Sequence, residues 1–144
     1  MKTSARNQFS GTVSRVVLGA VNDEVLIGVP GLGTIAAVVT HESALNLGLV
    51  VGAKAFALIK ASSVIVVTQA QGAKFSARNQ LQGQVVHVAK GAVNTEVVIG
   101  LDGCAQVAAI VTNESADALG LAAGLPAAAL FKASSVIVGV PAQA

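Results

Sequence analysis

The sequence predicts an all-β protein with short helices, organised as two tandem OB-fold-like five-stranded barrels. The first observation behind this is internal repetition. Ser4-Ala5-Arg6-Asn7-Gln8 recurs as Ser76-Ala77-Arg78-Asn79-Gln80, an offset of 76 − 4 = 72, and positions 4–66 and 76–138 align without a gap at 38 identities in 63. The second is composition. Hydrophobic residues make up 53% of the 144, but they are Val, Ala, Ile and Leu with four Phe and no Tyr or Trp, a β-branched bias that favours strands. The third is rhythm: each copy splits into five short apolar runs bounded by Gly, Pro, Asn and Ser.

In chain order, residues 8–17 and 80–89 alternate weakly and read as first strands. A turn at Leu18-Gly19-Ala20 leads to a second strand over 24–28, and the Gly-rich hairpin Pro30-Gly31-Leu32-Gly33 leads to a third over 35–39. Thr40-His41-Glu42-Ser43 opens a short helix, with Thr40 as N-cap and Gly48 as its stop. Residues 55–59 and 64–67 complete the set, and a helix between the third and fourth of five strands is the OB-fold order. The second copy repeats the pattern. The domains are therefore placed at 1–67 and 73–144, with 68–72 as the linker. Each copy has only about 65 residues, near the lower limit for a self-sufficient core. Much of the apolar surface is therefore expected to be buried between repeats and between chains, in a homo-oligomer.

Several function classes are disfavoured. A net charge of +2, with only 11% charged residues and no basic run, does not suit a nucleic-acid backbone. Without Tyr or Trp, the base stacking by which many OB-folds hold single strands is poorly supplied. No membrane span is expected: the weakly polar stretch from Leu119 to Phe131 is broken by Gly120, Gly124 and Pro126, where a helix needs about 20 apolar residues. The N-terminus has no apolar export segment, and the single Cys104 has no internal disulfide partner, so a cytoplasmic location is expected. An enzyme is not expected either. There is no close carboxylate pair, no Ser/His/Asp set and no phosphate-binding loop. His41 and His87 fall opposite Asn113 and Arg15, which excludes a duplicated histidine site, and no bare-cation metal site or cofactor is expected. Cys104 falls opposite Leu32 and reads as core packing.

The repeat separates retained charges from drifting ones. Among the nine Lys and Arg, Lys2/Lys74, Arg6/Arg78 and Lys60/Lys132 keep their positions, whereas Arg15, Lys54 and Lys90 face His87, Pro126 and Leu18. Ser4-x-Arg6 puts a hydroxyl and a guanidinium on one side of an extended chain, a donor set suited to a tetrahedral oxyanion; a solvated strand-edge arginine fits equally. Lys60-Ala61-Ser62-Ser63 joins an ammonium, hydroxyls and backbone N–H groups at a turn, and is also an ordinary Ser-rich turn. Thr40-x-x-Ser43 at a helix start suits an anion or plain capping. Gly19-Ala20-Val21-Asn22 is a turn sequence with weaker claims.

These segments resemble the Mop (molbindin) family. Its motifs are matched by Ser-Ala-Arg-Asn-Gln at 4–8 and 76–80, Gly-Ala-Val-Asn at 19–22 and 91–94, Thr-x-Glu-Ser at 40–43 and 112–115, and Lys-Ala-Ser-Ser at 60–63 and 132–135. The match runs along nearly the whole chain, twice, so the chain resembles the di-Mop members. The resemblance implies cytoplasmic binding, storage and homeostasis of molybdate, and of tungstate, at interfaces between Mop domains of a homo-oligomer, with a trimer favoured. Carried onto this chain, the implied oxyanion-binding residues are Ser4, Ala5, Arg6, Asn7, Lys60, Ala61 and Ser62, joined by Thr40 and Ser43 of a neighbouring domain. Their counterparts are Ser76, Ala77, Arg78, Asn79, Lys132, Ala133 and Ser134, joined by Thr112 and Ser115. The alanines would offer backbone N–H groups. A second class of site would use Gly19, Val21, Asn22 and His41, and Gly91, Val93, Asn94 and Asn113, with His41 replacing the Asn at 113. Neither the helix-turn-helix of a Mop-containing regulator nor the Walker A motif of a transporter ATPase is present. The competing reading is a structural or adaptor module whose domains serve only assembly.

Overall fold

The computed structural model describes residues 1–142. The first repeat forms β1 (Asn7–Val17), β2 (Asn22–Val29), β3 (Gly33–Thr40), α1 (His41–Leu47), β4 (Lys54–Ile59) and β5 (Ile65–Val67). The second forms β6 (Asn79–Lys90), β7 (Asn94–Leu101), β8 (Gln106–Thr112), α2 (Asn113–Leu119), β9 (Pro126–Phe131) and β10 (Ile137–Gly139). Single 3-10 turns at Ala61–Ser63 and Ala133–Ser135 precede β5 and β10.

Alternation sets the strands. Along β2, Asp23, Val25, Ile27 and Val29 are buried while the residues between them are half-covered, the period-2 pattern of a sheet with one face on a core. β1 is long enough to serve two neighbours: 7–12 pair with β4 and 12–17 with β2, and the register shifts between Val13 and Arg15. β6 repeats this, with its shift between Val85 and His87. Such bulges bend a strand and let one sheet curl into a barrel. Both helices are capped as their sequences demand. Thr40 and Thr112 accept from the Ser43 and Ser115 N–H groups, and Gly48 and Gly120 close the helices in the left-handed conformation.

Two expectations are corrected. Each repeat was expected to supply its own fifth strand, but the strands are exchanged. The sheet orders are β10-β4-β1-β2-β3 and β5-β9-β6-β7-β8, so β5 extends the second repeat's sheet and β10 the first's. Ile65, Val66 and Val67 pair with Leu130, Ala129 and Ala128, while Ile137, Val138 and Gly139 pair with Leu58, Ala57 and Phe56. The connection after β5 turns through positive φ at Gln69, Gln71 and Gly72 before β6 begins. Cys104 is the second correction: it is exposed, with φ +72°, where Leu32 packs against the core. The first hairpin places positive φ on Gly31 and Gly33, but Ala105 stands where Gly33 would be. An alanine disfavours that conformation, so the turn re-forms with its left-handed residue at Cys104, which points the thiol to solvent.

The buried residues of both repeats form one cluster, running from Val13, Val25 and Ile27 through Ile59 to Val85, Ile99 and Phe131. The repeats are also joined through two buried amides. Asn7, 2% exposed, donates to the Ala108 and Ile59 carbonyls at 2.8 and 3.2 Å and accepts from the Ala108 N–H at 2.8 Å. Asn79, also 2% exposed, donates to the Ala36 carbonyl and accepts from the Ala36 N–H, both at 2.8 Å. Ala36 lies on β3 and Ala108 on β8, the edge strands of the two sheets. Each carboxamide presents the donor and acceptor of a strand to an otherwise open edge.

Candidate functional site

The exchange brings the candidate segments of each repeat together against the other repeat. One cavity of about 450 Å³ is lined by Ser4, Ala5, Arg6, Lys60, Ala61 and Ser62, with Ile110, Ser135 and Ile137 contributed by the second repeat. Its counterpart, about 570 Å³, is lined by Ser76, Ala77, Arg78, Lys132, Ala133 and Ser134, with Val38, Ser63 and Ile65 contributed by the first. A slightly larger depression of about 600 Å³, near Gln82, Gln84, Asp102 and Cys104, has no cation in its wall and includes no residue of these motifs.

Local structure explains how the cations are presented. The Gln8 amide donates to the Ala5 carbonyl at 3.0 Å and the Gln80 amide to the Ala77 carbonyl at 2.9 Å, folding the Ser-Ala-Arg segment ahead of its strand. The 3-10 turn then sets Lys60 and Ser62, or Lys132 and Ser134, on the opposite lip. The turn is closed by the Ser63 N–H donating to the Lys60 carbonyl at 2.9 Å and by its Ser135–Lys132 equivalent at 2.9 Å. Among the described residues, neither Lys60 nor Lys132 has a carboxylate partner. The arginines do: Arg78 Nη1 lies 2.6 Å from Glu24 Oε2, and Arg6 pairs in the same way with Glu96. Both pairs cross between repeats. Glu24 and Glu96 are also retained at the 72-residue offset, a signal the sequence carries for acids as well as cations.

Other candidate residues lie elsewhere. Asn7 and Asn79 are expected among the oxyanion-binding residues, and their carboxamides are committed to the other repeat's backbone. The Ala5 N–H donates to Thr3 Oγ1 at 2.9 Å; Phe75 stands in the place of Thr3 in the second repeat. Thr40 and Ser43 share a 2.7 Å hydroxyl bond at the start of α1, and Thr112 and Ser115 one of 2.8 Å at α2, and neither pair lines the cavities described above.

The Gly-Ala-Val-Asn turns sit beside these caps. Val21 and Val93 accept, through their carbonyls, the N–H groups of His41 and Asn113 at 2.8 and 3.1 Å, and expose their side chains. The two turns differ in chemistry. In the first repeat the buried Asp23 accepts from the Gly19 N–H at 3.0 Å and pairs with His41 Nδ1 at 2.8 Å. That backbone bond, helped by His41 and opposed by burial, holds the Asp23 carboxyl below its usual range. In the second repeat the same places hold neutral Thr95 and Asn113, joined at 2.6 Å, and Asn113 donates to the Gly91 carbonyl at 2.9 Å. Among the described residues no group of His, Cys, Asp and Glu could hold a metal ion, and no helix is long and apolar enough to cross a membrane.

The TOBE-domain model matches residues 3–66 and 76–138. The chain belongs to the TOBE (Mop) domain family, in two tandem copies. It is similar to the molybdenum-pterin-binding protein MopA of Rhodobacter capsulatus, 48% identical over 141 residues, which are 98% of this chain and 53% of that protein. It is similar also to the molybdenum transport protein ModE of Azotobacter vinelandii, 49% identical over 140 residues, 97% of this chain and 52% of that protein. This TOBE pair thus spans about half the length of the curated relatives it matches. Among solved structures, the cytoplasmic molybdate-binding protein ModG with molybdate bound superposes with a TM-score of 0.93 at 48% identity, covering 98% of this chain and all of that one.

Proposed function

We propose that this chain binds molybdate, and tungstate by the same chemistry, and holds it for cytoplasmic storage and homeostasis without transforming it. The observation that carries the reading is the pair of equivalent cavities in which Arg6, Lys60, Ser4 and Ser62, or Arg78, Lys132, Ser76 and Ser134, converge. A guanidinium, an ammonium and two hydroxyls match the charge and acceptor pattern of a tetrahedral dianion, with no metal or covalent bond required. Two relatives named for molybdenum and a structural neighbour of 48% identity with molybdate bound support the same ligand.

The sites are completed in a homo-oligomer, a trimer in this reading, where Thr40 and Ser43 or Thr112 and Ser115 reach the cavities from a neighbouring copy. Ile65 and Ile137, both largely exposed in the cavity walls, support this, because an apolar residue at the mouth of an anion site is best covered by another chain. Groups that a second chain completes also link ligand to assembly, so that binding stabilises the oligomer by mass action, about 2.7 kcal/mol at a ligand concentration 100 times Kd. The Gly-Ala-Val-Asn turns with His41 or Asn113 form the second class of site in this proposal.

Calorimetry on the purified protein with molybdate, tungstate and sulfate tests the reading. Saturable heat with the first two is expected, and its absence, together with no thermal stabilisation, would reject oxyanion storage and leave an assembly module. Replacing Arg6 and Arg78 together by Ala removes a charge-assisted donor from each cavity and should weaken binding on the order of 10- to 100-fold. Unchanged metal loading by elemental analysis would move the sites elsewhere.

A further inference from the structure

The arginines of the two cavities already have a counter-ion, and its placement is specific. Glu24 is the cross-strand neighbour of Val38, and Glu96 of Ile110. Val38 lines the Arg78 cavity and Ile110 the Arg6 cavity, so each carboxylate rises beside a cavity wall, on the repeat opposite to its arginine. The acid side chains are only 22% and 21% exposed, held by their strands, whereas the arginine side chains are 55% and 54% exposed. Each contact joins one carboxylate oxygen to one guanidinium nitrogen, and a guanidinium has further N–H donors. The neighbours at 23 and 95 have diverged from Asp to Thr, yet both glutamates remain.

We propose that Glu24 and Glu96 are built-in competitors for Arg78 and Arg6, and that they hold down the affinity of these cavities so that a bound oxyanion can be released. The inference rests on the oxyanion reading above. Arg and Lys together bring two positive charges to a cavity, and an engaged glutamate reduces this to one. A dianion that takes the guanidinium over and releases the glutamate toward water leaves the cavity neutral. Freeing the guanidinium from the glutamate costs the same whichever anion takes it over, and a glutamate that stays beside the cavity repels a dianion more than a monoanion. The glutamates therefore lower affinity for every anion, and for dianions at least as much as for monoanions. As positioning residues they act through the arginine and need not touch the bound anion.

Tungstate and perrhenate are the probes, being tetrahedral oxyanions of similar size with charges of 2− and 1−. In the full chain carrying Glu24→Gln with Glu96→Gln, tungstate should bind about two- to fivefold more tightly per site, the range expected when an exposed ion pair no longer competes. Perrhenate should gain no more than tungstate, so that the preference for the dianion is kept or widened. Glu24→Asp with Glu96→Asp keeps the counter-charge and should keep the wild-type preference. A glutamate that only braced the fold would lower the melting temperature and weaken both anions alike. Tungstate binding that is unchanged or weaker in the Gln variant, or a gain larger for perrhenate than for tungstate, overturns the proposal while leaving oxyanion binding standing. A wild-type protein that binds no tungstate removes the oxyanion reading and the competitor with it.

Discussion

The seam between the repeats and the outer ends of the barrels have diverged very differently since the duplication. Along the seam, Asn7/Asn79, Ala36/Ala108, Arg6/Arg78, Glu24/Glu96 and the Lys-Ala-Ser-Ser segments are the same in both copies. At the ends, beside α1 and α2, Asp23 and His41 face Thr95 and Asn113, and Leu18, Leu45, Val50 and Val51 face Lys90, Asp117, Ala122 and Ala123. The difference follows from what each contact joins. A seam residue of one repeat binds backbone or side chain of the other, so a change on one side leaves an unmatched group on the opposite side. An end residue binds within its own repeat, so a change can be compensated locally. Where the first repeat has the Asp23–His41 pair the second has Thr95–Asn113, also hydrogen-bonded, and where Leu18 and Leu45 line one hollow the second has the Lys90–Asp117 ion pair, 3.2 Å long.

The largest test falls on the seam. Replacing Asn7 by Ala leaves the Ala108 N–H and carbonyl without their partner at a buried edge, and should cost about 2–4 kcal/mol in denaturant unfolding. Asn79→Ala should cost as much through Ala36. Either substitution losing less than about 0.5 kcal/mol would show that the edges are satisfied by water and that the seam is looser than its geometry suggests.

The same contrast explains what could be read in the sequence. Strands, helix and caps were legible because they depend on local pattern: β-branched alternation, Thr40 before Glu42 and Ser43, Gly48 after Leu47. The strand exchange was not, because Lys60 to Val66 is identical to Lys132 to Val138, and identical strands cannot declare which sheet they join. The joining role of the Asn7 and Asn79 carboxamides was hidden for a related reason. A motif shows that a residue is constrained, but only the fold shows that its constraint is an edge strand 101 residues away in one case and 43 in the other. Glu24 and Glu96 could have been found from the 72-residue offset; their retention was in view, but an anion site directs attention to cations. Cys104 was misread because its partner Leu32 sits in a hairpin whose glycine pattern it does not share.

A middle-sized effect is expected at the diverged pair. Asp23→Thr alone strands His41, and His41→Asn alone leaves the buried carboxylate with the Gly19 N–H as its remaining partner. Each should lower the melting temperature, and the double variant, which transplants the second repeat's solution, should recover most of the loss. Simple additivity would show that the two positions are not coupled. The pH dependence separates the variants further. Because folding lowers the Asp23 carboxyl below its ordinary value of 3.8, its contribution is complete above that value and lost as the pH falls through the lower folded value. The wild type should therefore lose stability relative to the double variant only below about pH 4, whereas acid unfolding curves that run parallel would remove Asp23 as a source of acid sensitivity.

The smallest effect belongs to the apolar end. Leu18 and Leu45 are 69% and 68% exposed, and the second repeat carries Lys90 and Asp117 in their places. Leu18→Lys with Leu45→Asp should rebuild that ion pair in the first repeat. An exposed pair contributes little and the leucines bury little within the chain, so unfolding stability should stay within about 0.5 kcal/mol. The informative comparison is with subunit number measured by light scattering on the same protein. Unchanged stability and assembly would mean that the ends are free to drift because nothing docks there. Loss of assembly at unchanged chain stability would mean that the first repeat's end is an interface the second repeat has given up, and the two barrels would then differ in their neighbours as well as in their side chains.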